Sequence, residues 1–438
     1  MLRRRLGALV VCALALALPS AAHAAKPIPD QYIVVLKDGS TGRSAAADHR
    51  RSAGARVLHT YDSAIHGYSA RLSAAGLARV EADPRVARVV QDLEGRPLGA
   101  QTLPTGVNRI DADLSATAQL AGDGSGTVAG DVAVMDTGID TTHPDLNVPG
   151  GVNCGPFDAY NDGTLNDGFG HGTHVAGTIG AKDDANGVVG VAPGVRVWAV
   201  RVTNRLGGSS TSAQLCGIDW VTANGPALGI KVANASMMMI GSSGEGTCAS
   251  DVLHQAVCNS TQAGITWVFS AMNSTNELKT IGGAGYDEVL TVTAAADSNG
   301  QPNVGSTAKF TCTTVPRSNA KDPTGVDDTQ APFSNWTASV TEQAHVIAAP
   351  GMCIYSTFKL GAYGFMNGTS MAAPHAAATV HLCILAGQCS GVPAENIAKV
   401  RADAEAYNLA NPGWGYKGDP LRPVTGRYFG YLIRPGLY

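Results

Sequence analysis

Three short runs of this 438-residue sequence carry side chains that can cooperate in acyl transfer. Val134-Met135-Asp136-Thr137-Gly138-Ile139-Asp140 places an acid at the end of an apolar run. Gly170-His171-Gly172-Thr173-His174-Val175-Ala176-Gly177-Thr178 sets a histidine among small residues. Asn367-Gly368-Thr369-Ser370-Met371-Ala372-Ala373-Pro374-His375 puts a serine at the start of a helix expected to run to about 386. A serine hydroxyl is a poor nucleophile until a neighbouring imidazole removes its proton. His171 would take that proton and later give it to the leaving amine. Asp136 would hold the imidazole in the right tautomer and stabilise its charged form. The helix start at Ser370 offers a backbone N–H and a positive dipole end to a developing oxyanion.

Each feature has a plainer reading. An Asp that closes a strand is ordinarily a cap or turn residue. His171 and His174 could form a metal pair, but the motif lacks a Glu and no third ligand is signalled. His143, His174 and His375 read as packing or hydrogen-bonding histidines.

To bring the three together, the chain must place each at a strand end or helix start, where open α/β sheets gather their sites. Its pattern fits. Val132-Ala133-Val134-Met135, Val197-Trp198-Ala199-Val200, Val232-Ala233, Thr266-Trp267-Val268-Phe269 and Val289-Leu290-Thr291-Val292 are near-continuous apolar runs. Such runs suggest strands covered on both faces, hence a mostly parallel sheet between helices. A helix is expected at 394–406, followed by Gly-, Pro- and Tyr-rich loops. Ahead of this zone the strands alternate instead. Gln31 to Leu36, a helical 44–55, Gly67 to Leu72, a helix near 74–82 and Val86 to Val90 predict a small β-α-β-α-β module. A turn-rich run, Gly95-Arg96-Pro97-Leu98-Gly99, follows it as a linker.

The opening residues read as a leader. Arg3-Arg4-Arg5, the apolar run Leu6 to Leu18 and Ala22-His23-Ala24 describe a secretory signal peptide cut after Ala24, too short in its apolar part to span a bilayer. Cys12 would leave with it. Eight cysteines remain: Cys154, Cys216, Cys248, Cys258, Cys312, Cys353, Cys383 and Cys389. An even count in an exported chain suggests disulfides, and no Cys-x-x-Cys signals a metal. Eight cysteines allow 105 pairings. Proximity favours Cys248–Cys258 and Cys383–Cys389, leaving Cys154–Cys216 and Cys312–Cys353, with the choice left open. Hydrophobic content of 44% against 15% charged residues reads as a well-buried globular chain. A formal charge of −4 gives no electrostatic case for nucleic acid or an anionic membrane as partner.

Together, and in the order Asp, His, Ser, the three motifs resemble those of the subtilisin-like serine proteases, the subtilase family. The resemblance covers essentially all of 100–385. It implies a three-layer subtilisin-like α/β fold with a mostly parallel sheet, and peptide-bond hydrolysis by the triad Asp136, His171 and Ser370. The family's oxyanion Asn corresponds to Asn273, in Ser270-Ala271-Met272-Asn273. Residues 26–95 resemble the family's inhibitory propeptide, a small α+β prosegment, and Ala100 to Val107 resembles a mature N-terminus. The implied organisation is a signal peptide at 1–24, a propeptide at 25–99 and a catalytic domain at 100–438, with self-cleavage between Gly99 and Ala100. The resemblance also implies a structural calcium ion tying the mature N-terminus to two loops, with Gln101, Asp145 and Asp184 at matching places. Carboxylate and amide oxygens suit that hard cation; the plainer reading is solvated loop acids.

The pattern departs from the family in the substrate cleft. Substrate there lies as an added strand on a run usually written Ser-Leu-Gly-Gly, where this chain has Ser236-Met237-Met238-Met239-Ile240. The Gly expected before the oxyanion Asn is Met272. Two pocket walls are thereby bulkier, which predicts a narrowed pocket for small residues or an adaptable one lined by flexible methionines. The other edge, Gly207-Gly208-Ser209, keeps small residues. The insertion 300–330, with Cys312, Asp322, Asp327 and Asp328, has no family counterpart; it reads as a disulfide-held loop, with a second cation site as the alternative. The expectation is therefore a secreted, extracellular, monomeric serine endopeptidase acting on polypeptides and held by its own propeptide. A catalytically silent binding protein, favoured only by the methionine-filled cleft, is the opposing reading.

Overall fold

The computed structural model describes residues 26–37, 39–94, 101–120, 126–156, 159–315 and 322–438. They belong to two compact units, Met1–Leu98 and Gly99–Tyr438. The expected leader, Cys12 and the expected cut between Gly99 and Ala100 lie outside the described residues.

The first unit is an antiparallel sheet with two helices. Its strands are β1 (Lys26–Leu36), β2 (Arg56–Tyr61), β3 (Gly67–Arg71) and β4 (Val86–Glu94), in the order β2-β3-β1-β4. Helices α1 (Gly42–Ser52) and α2 (Ala74–Glu81) begin at Thr41 and Ser73, whose hydroxyls accept from the N–H groups of Ser44 and Gly76. Val34, Leu36, Tyr68 and Ala70 pack on Ala45, Ala46 and Val80 as the core. The β-α-β-α-β expectation missed β2. This edge strand has no fully buried residue, so it carries no buried-exposed alternation to be read.

The second unit opens with the short helix α3 (Thr105–Arg109) and builds its sheet from β5 (Asp131–Asp136), β6 (Gly151–Asn153), β7 (Arg196–Arg201), β8 (Ile230–Ala235), β9 (Thr266–Ser270) and β10 (Leu290–Ala296). Helices α4 (His171–Gly180), α5 (Thr211–Leu228) and α6 (Val252–Gln262) lie between them in sequence. Then come the short strands β11 (Lys309–Phe310), β12 (Gly325–Val326) and β13 (Thr329–Gln330), a turn of helix α7 (Val340–Gln343), and β14 (Val346–Pro350). The hairpin β15 (Ile354–Phe358) and β16 (Ala362–Met366) leads into α8 (Thr369–Leu385) and α9 (Pro393–Ala410).

The sheet order is β13-β10-β9-β8-β5-β7-β6, with β14 also paired to β10. Only β13 runs antiparallel to its neighbour; the other pairings are parallel. Strand β5 explains why its sequence shows no alternation. Val132 and Val134 pack into one core with α4 and α8 residues such as Val175, Ile179, Ala373 and Ala377. Ala133 and Met135 pack into another with Ile218, Val221, Leu253 and Val257 of α5 and α6. Both faces are covered, as the continuous apolar runs predict.

Four disulfides join Cys154–Cys216, Cys248–Cys258, Cys312–Cys353 and Cys383–Cys389. The acids of the insertion are taken up by protein donors. Asp327 accepts from the Ser298 N–H and hydroxyl, Asp322 from the Thr314 hydroxyl, and Asp328 from Arg109 Nε at 2.8 Å. Those contacts favour the disulfide-held loop over a second cation site. Arg109 Nη2 also donates to the Trp414 and Gly415 carbonyls, so one buried guanidinium ties α3, the insertion and the C-terminal loops together. Among the described residues no helix is long and apolar enough to cross a membrane.

Candidate active site

Asp136 is the last residue of β5 and only 1% exposed. Its Oδ1 accepts from the Thr137 N–H and meets His171 Nδ1, each at 2.7 Å. The bond fixes the tautomer: Nδ1 carries the proton and Nε2 is left as the basic nitrogen. Burial alone would pull the His171 imidazole toward its neutral form. The charge of Asp136, its hydrogen bond and the charge of Asp167 outweigh that and leave the pKa raised above the ordinary histidine value.

The glycines flanking His171 have a steric cause. Gly170, at φ 109°, is the N-cap of α4. A Cβ on Gly172 would stand 2.2 Å from the Gly138 carbonyl oxygen and 3.0 Å from Asp136 Cβ, so only glycine lets the helix start approach the end of β5.

Ser370 sits in the first turn of α8, 7% exposed, after the N-cap Gly368. Its hydroxyl donates to the Ser236 carbonyl at 3.2 Å. A hydroxyl has one proton, so while it is given to the Ser236 carbonyl it is not given to His171. Ser236 Oγ donates in return to the Ser370 carbonyl at 2.9 Å. Asn273 is held by its oxygen: Oδ1 accepts from the Thr369 N–H at 2.8 Å and hydroxyl at 3.0 Å. Its amide Nδ2 is thereby left as the donor, at the start of the helix bearing Ser370. The structure therefore joins Asp136 to His171 directly, and joins Ser370 to Ser236 and Asn273 to Thr369 around the α8 N-terminus.

Several residues that position these groups were not singled out from sequence. Asp167 is buried and makes five contacts through its two oxygens. Oδ1 accepts from the Thr137 hydroxyl and the N–H groups of Phe169 and Gly170; Oδ2 accepts from the Thr173 N–H and hydroxyl, all between 2.6 and 2.9 Å. Thr137 Oγ1 in turn accepts from the Gly172 N–H at 2.8 Å. The available signal was an acid just ahead of a helix start. Asn335, far away in sequence, accepts from the Ser274 and Asn276 N–H groups and so fixes the loop after Asn273.

His143, His174 and His375 are structural donors, as their sequence context predicts. His174 Nε2 lies 3.0 and 3.1 Å from the Ile354 and Gly364 carbonyls, and burial first, with the nearby His171, pushes it down to about 3. His375 Nδ1 meets the Met371 carbonyl at 2.8 Å, and His143 Nε2 meets that of Ala362 at 3.0 Å.

Comparison with known proteins bears on this arrangement. A model described as the subtilase family matches residues 128–390, and one described as peptidase inhibitor I9 matches residues 31–96. The chain belongs to the subtilase family. Subtilisin DY of Bacillus licheniformis is 35% identical over 324 residues, 73% of this chain and 97% of that protein. An alkaline protease of Alkalihalobacillus alcalophilus is 32% identical over 74% of this chain and 70% of its own. A cold adapted subtilisin-like serine proteinase of known crystal structure shares the fold, with a TM-score of 0.52 over 77% of this chain and 99% of that one at 24% identity. This subtilase is thus a serine endopeptidase with the subtilisin-like three-layer α/β fold and an I9-type α+β prosegment.

The residues expected to line the substrate cleft follow β7, β8 and β9. Gln214 pins the run after Ser236, donating to the Met238 carbonyl at 2.9 Å and accepting from the Ile240 N–H at 2.8 Å. Met237 is half-buried on the second core, whereas Met238 is 46% exposed. Met272 adopts φ +71°, a left-handed conformation that suits glycine. On the other edge Gly207 has φ +85°, and Gly208 donates its N–H to Asn204 Oδ1.

Of the three residues expected to hold calcium, Gln101 and Asp145 meet at Val188. Gln101 Nε2 donates to the Lys182 and Val188 carbonyls, and Asp145 Oδ2 accepts from the Val188 N–H at 3.0 Å. Gln101 Oε1 and Asp145 Oδ1 are buried without a hydrogen-bond partner. Burial first, and then the charge of Asp184, pushes the Asp145 carboxyl up to about 7 against the Val188 hydrogen bond. Two orphaned hard oxygens, one amide and one carboxylate, with a second acid nearby, fit a calcium ion.

Proposed function

We propose that this subtilase is an exported endopeptidase that hydrolyses polypeptides through an acyl-enzyme. Ser370 attacks the scissile carbonyl, His171 takes its proton and returns it to the leaving amine, and Asp136 orients and stabilises the imidazole. Asn273 Nδ2 and the backbone N–H groups at the start of α8 bind the oxyanion. The observation that carries this reading is the 2.7 Å bond between His171 Nδ1 and the buried Asp136 carboxylate, with Ser370 at the N-terminus of α8, the helix that packs against α4. Treatment of the processed protein with a fluorophosphonate probe tests it. Labelling that disappears in Ser370→Ala establishes the activated serine; equal labelling of both would refute the assignment.

Maturation follows on the same reading. Residues 1–24 are removed on export, and 25–99 are cut off by the enzyme itself between Gly99 and Ala100. The inhibitor I9 match at 31–96 supports a prosegment that occupies its own enzyme. Mass spectrometry of the active material locates the cut, and a Ser370→Ala chain that is still cleaved would exclude self-processing.

The methionines define the substrate preference we assign. Met238 and Met272 fill space that glycines leave open in the family pattern, so the pocket before the cut takes small side chains or adapts around them. Gly207, Gly208, Ser236 and Met237 complete the cleft walls. Calcium held by Gln101, Asp145 and Asp184 would supply stability by neutralising buried carboxylates, with no part in the chemistry.

A further inference from the structure

Another histidine–carboxylate pair, outside the triad, joins His254 of α6 to Glu288. His254 is fully buried, with Nε2 2.9 Å from Glu288 Oε2 and Nδ1 3.2 Å from Ser250 Oγ. Its ring lies flat on Tyr286, the centroids 3.9 Å apart and the planes within 5°. His254 and Cys258 are one turn apart on α6 and share a face. Cys248, on the preceding loop, is disulfide-bonded to Cys258. Glu288 Oε1 lies 3.3 Å from Cys248 Sγ. A disulfide sulfur has no proton to donate, so that contact is not a hydrogen bond in the oxidised chain.

The ligand atoms of Cys248, His254, Cys258 and Glu288 all lie within 4.8 Å of one another. Two sulfurs, one imidazole nitrogen and one carboxylate oxygen make a donor set of the number and softness zinc takes in closed sites. The second shell is in place: Ser250 Oγ on Nδ1 leaves Nε2 as the atom facing the cluster, and Tyr286 fixes the ring plane. Nothing in the triad or the calcium reading uses these residues.

We propose that the Cys248–Cys258 disulfide is one of two alternative closures of this loop, and that in the reduced chain Cys248, His254, Cys258 and Glu288 hold one zinc ion. A phosphine reductant breaks the S–S bond with two electrons. The phosphorus takes oxygen from water, and the two water protons go to the sulfurs. Zinc then binds the two sulfurs as thiolates and releases those protons to solvent. The loop leading into α6 thereby stays tied in a reducing environment, where the disulfide does not persist.

The test uses the full chain carrying Ser370→Ala, which prevents self-digestion once it is reduced. The protein is reduced with a phosphine, desalted without oxygen, checked for helix content by circular dichroism and titrated with zinc. We expect one zinc per reduced chain and none per oxidised chain, with affinity falling about tenfold or more in His254→Ala and Glu288→Gln, which keep every thiol. Cobalt in place of zinc should give the visible absorption of a tetrahedral thiolate site, weakened in the same variants. Zinc bound equally well by His254→Ala and Glu288→Gln would mean that thiols elsewhere hold it and would overturn the proposal. So would a reduced chain that keeps its helix content and binds none. A reduced chain that loses its helix content and does not regain it with zinc overturns it as well.

Discussion

Ser370 and Ser236 hold one another, hydroxyl to carbonyl in both directions, at 3.2 and 2.9 Å. One of these bonds has its origin in the helix. Pro374 lacks the N–H that would close the helical bond onto the Ser370 carbonyl, so that acceptor is open in the first turn of α8. Ser236 Oγ fills it, and Asn234 Nδ2 donates to the same Oγ at 2.9 Å. In Ser236→Ala a buried acceptor loses its partner, a cost of about 1–3 kcal/mol. We expect a lower thermal midpoint and a several-fold loss in kcat/KM on a peptide substrate. An unchanged midpoint would remove this role for Ser236.

The pH profile should carry the signature of Asp136 on His171. Peptide hydrolysis needs the neutral imidazole, so kcat/KM falls as pH drops through the His171 pKa. Because that pKa is raised, the acid limb should lie above the ordinary value of about 6.5. In Asp136→Asn the limb should move to lower pH, and kcat should fall by about 10⁴ at neutral pH. The stability effect has the opposite sign. The folded chain binds this proton more tightly than the unfolded one, so the contribution is complete below the unfolded value and is lost as pH rises through the folded value. A limb that stays in place in Asp136→Asn would detach the titration from His171.

Asp167 should act through His171 without touching substrate. Its five accepted bonds fix Thr137, Gly170 and Thr173 around the start of α4. Asp167→Ala should lower kcat by about 10- to 100-fold with little change in KM, because it misplaces the base and leaves the cleft intact. Steady-state kinetics read this split. A rise in KM with kcat unchanged would point to the substrate cleft instead.

Chelation should lower the melting midpoint of the mature enzyme, and Asp145→Ala should reproduce that loss with no further response to chelator. With free calcium at about 100 times its dissociation constant the linked stability is about 2.7 kcal/mol, which calorimetry resolves as a shift of several degrees. Identical melting curves with and without chelator would leave Gln101, Asp145 and Asp184 as ordinary loop residues.

Met272→Gly should both relax the backbone and open the pocket. A side chain at φ +71° costs about 1 kcal/mol relative to glycine, so the variant should melt no lower than the parent. A peptide-library profile should gain large aromatic residues before the cut, more so with Met238→Gly added. A parent enzyme that already prefers those residues would contradict the narrowed pocket.

Much of this molecule is legible in its residues. Local chemistry marks Asp136, His171 and Ser370, because each stands in a distinctive short context of small residues at the end of a strand or the start of a helix. The parallel sheet is legible because burial on both faces of β5, β7, β8, β9 and β10 demands continuous apolar runs. Strand β2 leaves no such trace, since an edge strand without a buried face has no pattern to impose. Only the tertiary structure could decide the contacts between residues remote in sequence: Ser236 on Ser370, Asn335 under the Asn273 loop, Arg109 on Asp328, and His254 beside Glu288 and a disulfide. Asp167 and Thr137 were equally hidden, because a hydrogen-bond hub reads in sequence as a loop acid and a loop hydroxyl. A motif shows which side chain can do chemistry; its partner is set by how the chain closes in space, and a single sequence does not record that.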